Sequence, residues 1–301
     1  MTILKAFMNR HFTPPDCVAA DVQRALEEDI RTGDLTALLI DAKQQAHGRI
    51  IAREPAILCG QAWFDEAFRQ IEPSVQLTWH MAEGDAIEPN QVLVEMSGSA
   101  RALVTAERTA LNFLQLLSGT ATTVNTYVKA IAGTTTQVVD SRKTIPGLRL
   151  AQKYAVLVGG GVNHRVGLYD GILIKENHIA TAGGVTPALE HARAIVSVPD
   201  IAARAVAPFI QIEVETLAQL QEALSAGAKM ILLDNMSHEQ IAQAVKINVE
   251  QFARQAILEV SGNVNLDNIR SYAELGVDRI SIGGLTKHVR AIDFSMRVNA
   301  I

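Results

Sequence analysis

Several things are scarce in this chain. Cysteine occurs only as Cys17 and Cys59, too few for a disulfide framework or a Cys-rich zinc site and in keeping with a reducing cytoplasm. No apolar run reaches the roughly 18 residues of a membrane span. The opening stretch, MTILKAFMNRHFTPPD, lacks the sustained apolar core and small-residue cleavage site of a secretory leader. Positive charge is not in excess. Lys and Arg number 27 against 32 Asp and Glu, a net charge of −5. That argues against general affinity for nucleic acid or an anionic membrane, and leaves room for a local basic pocket. No repeat of fixed period covers the chain. What remains is globular: 48% hydrophobic and 20% charged over 301 residues, enough for about two domains.

The rhythm of the sequence changes near residue 135. Before it, residues 15–29 predict a helix with Val18, Val22 and Leu26 on one face. Strand-like stretches follow at 46–59, 75–81 and 91–96, with a helix at 60–71. Residues 101–132 read as long helical material broken near Ser118 and Gly119. After residue 135, short apolar runs alternate with Ala/Leu-rich helices. The runs are 137–141, 171–175, 210–215, 230–235, 257–262 and 279–284, and they have the near-continuous apolarity of buried parallel strands. The expected class is α/β: an N-terminal α+β domain over 1–134, then an incomplete α/β barrel of about seven strands over 135–287. A C-terminal helix over 288–301 is expected to join the first domain. A barrel is favoured over an open doubly wound sheet.

In a βα barrel the active site lies at the C-terminal ends of the strands. Here those ends carry Arg142 and Lys143, then Lys175, Glu213, Asp234, Ser261 and Gly262, and Gly283 and Gly284. Any one polar ending is ordinary, because strands must end in loops. The set has a sign pattern, however. Residues 140–178 hold Arg142, Lys143, Arg149, Lys153, Arg165 and Lys175, with His164 and His178 nearby, inside an acidic chain. Arg and Lys at such positions clamp phosphates and carboxylates. Carboxylates beside them suit ribose hydroxyls or a hydrated Mg²⁺. Glycines let backbone N–H groups approach a phosphate. Arg149 and Lys153, four apart, read as a solvated helix face. The Gly159–Gly161 run follows a helix and reads as a turn. His164 and His178 lack metal-ligand spacing, and Trp79 and His80 read as packing residues.

The stretch VVDSRKTIPGLRLAQKYAVLVGGGVNHRVGLYDGILIKENHI (138–179) resembles the quinolinate phosphoribosyltransferases. The resemblance extends through EEDIRTGDLT (27–36), AERTALNFLQLLSGTAT (106–122), IEVE (212–215), LLDN (232–235), EVSGNV (259–264) and ISIGGLTKH (280–288). It implies transfer of phosphoribose from phosphoribosyl pyrophosphate to quinolinate with decarboxylation and with Mg²⁺, giving nicotinate mononucleotide for NAD synthesis. It implies that Arg142, Lys143, His164, Arg165 and Lys175 receive the quinolinate carboxylates and the phosphates. Glu213 and Asp234 would sit near ribose and metal, and Ser261, Gly262, Gly283 and Gly284 near the 5′-phosphate. It further implies a homodimer in which Arg108 completes the partner's pocket. Ser141 stands where Thr is common and Gly284 where Ala is common, both small changes.

Two rival readings have discriminating features. A related phosphoribosyltransferase-like protein acting on another acid would share the phosphate loops; the Arg142–Lys143 and His164–Arg165 pairs argue for a dicarboxylate. Residues 81–98 resemble the turns of a biotinyl or lipoyl carrier, but they contain no Lys to carry the group.

Overall fold

The computed structural model describes residues 12–199 and 208–301. His11 and most of the stretch read as lacking a leader lie outside the described residues. In chain order the elements are α1 (Val18–Asp29), β1 (Gln45–Ala52), β2 (Ala56–Ile57), α2 (Gln61–Ile71), β3 (Gln76–Trp79), β4 (Ala86–Ile87), β5 (Val92–Ser99) and α3 (Ala100–Ala130). There follow β6 (Gln137–Val139), α4 (Arg149–Val158), β7 (Gly171–Ile174), α5 (Glu176–Ala182), α6 (Val185–Val196), β8 (Phe209–Val214), α7 (Leu217–Ser225), β9 (Met230–Asp234) and α8 (His238–Glu250). The chain ends with β10 (Ile257–Ser261), α9 (Ile269–Glu274), β11 (Arg279–Ser281), α10 (Gly284–Lys287) and β12 (Phe294–Ala300). Two compact units result. The first comprises the described residues of Met1–Thr123, Ile145–Gly160 and His288–Ile301, and the second Val124–Thr144 with those of Gly161–Lys287.

In the first unit, β1 pairs antiparallel with β5 and with β12, and β3 flanks β5. From Gln45 to Ile50, β1 alternates exposed and buried residues, the signature of a sheet with one face on the core. That core is aromatic, with Trp63, Phe64 and Phe68 of α2 fully buried. Two expectations fail here. The segment 288–301 is a strand rather than a helix at its end: Phe294–Ala300 pairs with Ala46–Ala52. The helix over 100–130 is also unbroken at Gly119. This glycine is a packing position, since a Cβ there would stand 2.2 Å from the carbonyl oxygen of Arg290.

In the second unit six strands form one parallel sheet, in the order β6-β11-β10-β9-β8-β7. The first strand lies beside the last, and the rest follow in chain order. That is the cyclic order of a βα barrel, not the reversing order of a doubly wound sheet. A parallel bridge between Val139 and Val162 marks a rudimentary seventh position next to β6. The barrel is therefore incomplete, as expected. The helices start as their sequences dictate. Thr216 caps α7 through Gln219 N–H, and Ser237 with Gln240 forms a capping box on α8.

Candidate active site

The strand ends gather the residues singled out by the sequence. After β6, the Lys143 N–H donates to Ser141 Oγ at 3.2 Å, and the Lys143 carbonyl accepts the buried Thr286 hydroxyl at 2.7 Å. The Lys143 side chain lies across Gly283, where a Cβ would come within 2.8 Å of Lys143 Cδ and 3.6 Å of Ser141 Oγ. A side chain at 283 would push this lysine from its path along the β11 end. Asp140, wholly buried, accepts the His164 N–H at 2.7 Å and ties the 162–165 segment to β6.

Arg165 is anchored through Nη1 to the Gly171 carbonyl at 3.0 Å. Burial, and then the neighbouring positive charge of Arg142, push its guanidinium below the ordinary value, with Asp170 pulling the other way. Two guanidinium groups held this close make a site that favours an anion. On β7's far end, the Lys175 ammonium meets Glu213 at 3.2 Å. The Lys175 N–H donates to His178 Nδ1 at 3.0 Å, so His178 shapes this strand end.

The acids stand at the ends of the next two strands, β8 and β9. Asp234 has both oxygens held, one by Ser261 Oγ at 3.3 Å and one by Asn235 Nδ2 at 2.8 Å. Burial pushes the Glu213 carboxyl up; Lys175 opposes the rise, and the charges of Asp234 and Glu176 add to it. Gly262 adopts φ +95° at the end of β10, a conformation that favours glycine. Gly283 is a turn residue after β11, and Gly284 opens α10.

Not every expected residue behaves as expected. His164 turns inward, with its side chain only 8% exposed. Its Nδ1 accepts the Arg165 N–H at 2.8 Å, and its Nε2 lies 2.6 Å from Gln211 Oε1. Lys153 is 2% exposed rather than on a solvated face. Its helix instead exposes Leu150 and Leu157. His80 is an exposed partner of Glu95 at 3.1 Å rather than a packing residue, whereas Trp79 does pack, edge-on to Phe64. Arg108 belongs to the first unit. It is exposed on α3, beside a cleft of about 190 Å³ that Glu28, Asp29 and Asn112 also line.

Residues 34–118 match the family profile described as quinolinate phosphoribosyl transferase, N-terminal domain, and residues 120–297 match its C-terminal domain. The chain belongs to the quinolinate phosphoribosyltransferase family. It is 43% identical to the structure of the nicotinate-nucleotide pyrophosphorylase from Francisella tularensis, with TM-score 0.89, over 97% of this chain and 100% of that one. It is 39% identical to the probable nicotinate-nucleotide pyrophosphorylase [carboxylating] of Bacillus subtilis over 90% of both chains. It is 36% identical to the human nicotinate-nucleotide pyrophosphorylase [carboxylating], over 95% of this chain and 93% of the human one.

Within the quinolinate phosphoribosyltransferase fold, three supporting residues escape the sequence reading. They are Gln211, Glu259 and Thr286. Gln211 and Glu259 could have been found as polar residues inside apolar strands, two positions before Glu213 and Ser261 and so on the same face. Asn235 stands at φ +53° beside Asp234. Thr286 carried no signal that distinguishes it from any loop threonine.

Proposed function

We infer that the protein transfers the phosphoribosyl group of phosphoribosyl pyrophosphate to quinolinate and decarboxylates the product, giving nicotinate mononucleotide, carbon dioxide and pyrophosphate for NAD biosynthesis. The observation that carries this reading is the cationic set Arg142, Lys143, Arg165 and Lys175 at the barrel's strand ends, in a chain that matches the family from residue 34 to 297. Two polyanions must meet there, and their mutual repulsion needs fixed positive charge to offset it.

The roles follow from charge and position. Arg142 and Arg165 receive the quinolinate carboxylates, Arg as a planar fork. Lys143 and Lys175 hold phosphate oxygens, and the Ser261–Gly262 and Gly283–Gly284 loops hold the 5′-phosphate. His164 works at the base of the carboxylate subsite. The quinolinate ring nitrogen attacks the anomeric carbon, and the bond to the pyrophosphate oxygen breaks, its electron pair leaving with pyrophosphate. Glu213 and Asp234 stabilise the cationic sugar as this happens. When the neighbouring carboxylate departs as carbon dioxide, its bonding electron pair stays on the ring carbon, stabilised by the adjacent positive nitrogen, and that carbon then takes up a solvent proton. No side-chain nucleophile is needed.

Mg²⁺ fits this site in one manner. Glu213 and Asp234 are the only acids proposed for it. Each already has a protein partner, and no cluster of three metal-ligating side chains occurs among the described residues. Such a pair suits a Mg²⁺ held mainly by substrate oxygens and water. When bound, the ion adds positive charge to the departing pyrophosphate.

We further propose a homodimer in which Arg108 serves the partner's pocket. Arg108 makes no hydrogen bond or ion pair among the described residues. Leu35, Leu38 and Leu39 are exposed on a turn and the short 3₁₀ helix Ala37–Leu39, which Asp34 fixes through the Thr36 and Ala37 N–H groups; such a patch suits an interface between copies. No helix among the described residues is long and apolar enough to cross a membrane. The two cysteines are free thiols, which supports placing the reaction in the cytoplasm.

The test is an assay of pyrophosphate and carbon dioxide release with quinolinate, then with nicotinate. Nicotinate lacks the second carboxylate and leaves cationic donors unpaired, so it should react at least 100-fold more slowly, an effect on the order of 3 kcal/mol. Equal rates would assign the site to another acid.

A further inference from the structure

Beneath the strand-end residues, the barrel interior holds a second group of polar side chains. Gln211 precedes Glu213 by two residues on β8, and Glu259 precedes Ser261 by two on β10, so each points to the same face one step deeper. Barrels of this kind usually fill such positions with branched apolar residues. Both side chains here are completely buried. Among the described residues, neither carboxylate oxygen of Glu259 has a hydrogen-bond partner, and neither does Gln211 Nε2. A buried, unpartnered carboxylate is costly to folding, the pattern of a group retained for what it does.

His164 reaches down to this pair. Its Nε2 stands 2.6 Å from Gln211 Oε1 and 4.0 Å from Glu259 Oε1. Phe209 packs edge-on against the ring at 5.3 Å. On the other side of the ring, Nδ1 accepts the Arg165 backbone N–H at 2.8 Å. A backbone N–H can only donate, so Nδ1 carries no hydrogen and the ring proton sits on Nε2. Gln211 alone cannot enforce that tautomer. Its amide can turn end for end and present a donor, which would move the ring proton to Nδ1 and expel the Arg165 N–H. A carboxylate is an acceptor in either orientation, and its charge favours an N–H directed toward it.

We propose that Glu259 is a positioning residue for the reaction assigned above, on which this inference rests. It holds His164 in the Nε2–H tautomer, and His164 in turn seats the Arg165 backbone, whose guanidinium is tied to Gly171. The chain of influence runs from Glu259 through His164 to the carboxylate subsite and leaves the phosphate subsites alone.

The experiment uses the full-length protein and the variants Glu259→Gln, Glu259→Leu and Glu259→Asp. Ring ¹⁵N shifts of His164 are read by long-range ¹H–¹⁵N NMR without substrate, with His164→Asn for assignment. Wild type should show the Nε2–H tautomer alone, and Glu259→Gln and Glu259→Leu a mixture. In steady-state kinetics, KM for quinolinate should rise about tenfold in these two variants, the weight of one hydrogen bond. KM for phosphoribosyl pyrophosphate should not move, and Glu259→Asp should recover part of the loss. Both changes are required. An unaltered tautomer in the variants, or a shifted tautomer with unchanged or parallel KM values, overturns the proposal. Should Glu259→Leu fail to fold, Glu259→Gln, which keeps volume and polarity, decides. If wild type does not consume quinolinate at all, the assigned reaction fails, while the NMR arm still reports on Glu259 and His164.

Discussion

The two units bury different things. The first spends its interior on aromatic rings: Phe64 lies 5.1 Å from Phe68 and 5.2 Å from Trp79, and Trp63 lies 5.5 Å from Tyr154. The polar groups it buries close short local circuits. Asp21 takes the Trp63 indole N–H at 3.2 Å, and Ser118 bridges the Cys59 N–H and carbonyl. The barrel buries Asp140, Gln211 and Glu259 instead, and leaves two of these with atoms unpartnered. Burying apolar rings is favourable, whereas burying carboxylates is not. The first unit therefore carries a surplus of packing, and the barrel interior gives up stability to hold charge in place.

That contrast breaks most sharply under substitution. Phe64→Ala should cost about 3–5 kcal/mol of stability, read as a lowered denaturant midpoint, while the remaining folded enzyme keeps its kcat. Activity lost ahead of folding would show that the first unit contributes directly to the chemistry. Lys143→Ala should do the reverse. With one charge removed from the strand-end set, kcat/KM should fall about 10²–10³-fold and Tm should barely move. An active, well-folded Lys143→Ala variant would remove that lysine from the pocket. Arg108 tests the contrast between copies. Mixed with Lys143→Ala and allowed to exchange subunits, Arg108→Ala should restore activity to about a quarter of wild-type sites, because half the dimers are mixed and each has one intact pocket. No recovery after confirmed exchange would confine Arg108 to its own chain.

Gly119→Ala should have a smaller effect, about 1–3 kcal/mol of stability. The added Cβ would meet a backbone carbonyl, Arg290 O at 2.2 Å, and a backbone cannot rotate aside as a side chain can. Circular dichroism should show helix content unchanged, because the clash displaces the 290 segment rather than breaking α3. Loss of helix signal would restore the reading of Gly119 as a breaker.

The same position shows what was legible in the sequence. The barrel strands were, because runs such as MILLD admit no other placement than between layers. So were the strand-end cations, because charge at the end of a buried run has few uses besides binding. Gly119 was misread because a glycine serves as a break and as a close-approach site with the same letter, and only the partner backbone tells them apart. The final strand was readable in principle, since Phe294, Met296 and Val298 alternate with polar residues. Lys153 was not: spacing of four with Arg149 suits a solvated face, yet α4 buries that lysine and exposes Leu150 and Leu157. The helix also buries Ala151, Gln152, Tyr154, Ala155, Val156 and Val158, so packing closes around most of it, and the four-residue spacing does not encode that. Glu259, by contrast, is readable as the one acid inside the apolar run ILEVS.

The smallest effect should come from a half-buried acid in the aromatic unit. Glu83 accepts the Gly60 N–H at 2.8 Å on one oxygen and the Gln61 N–H at 3.1 Å on the other, at the start of α2. Burial pushes its carboxyl up, and these hydrogen bonds, with those to Cys59 and Tyr154, only partly pull it back. The folded state therefore keeps this proton to a higher pH than the unfolded chain does. A raised acid adds stability that is complete below its ordinary value and is lost as pH rises through the raised one. Glu83→Gln removes the titration and leaves one acceptor oxygen where there were two. Its Tm should start below wild type in acid and then decline less as pH rises from the ordinary glutamate range toward neutrality, with a change smaller than that of Gly119→Ala. Scanning calorimetry across that range compares the two slopes. Parallel slopes would mean that Glu83 holds the same charge folded and unfolded, its hydrogen bonds fully offsetting the effect of burial.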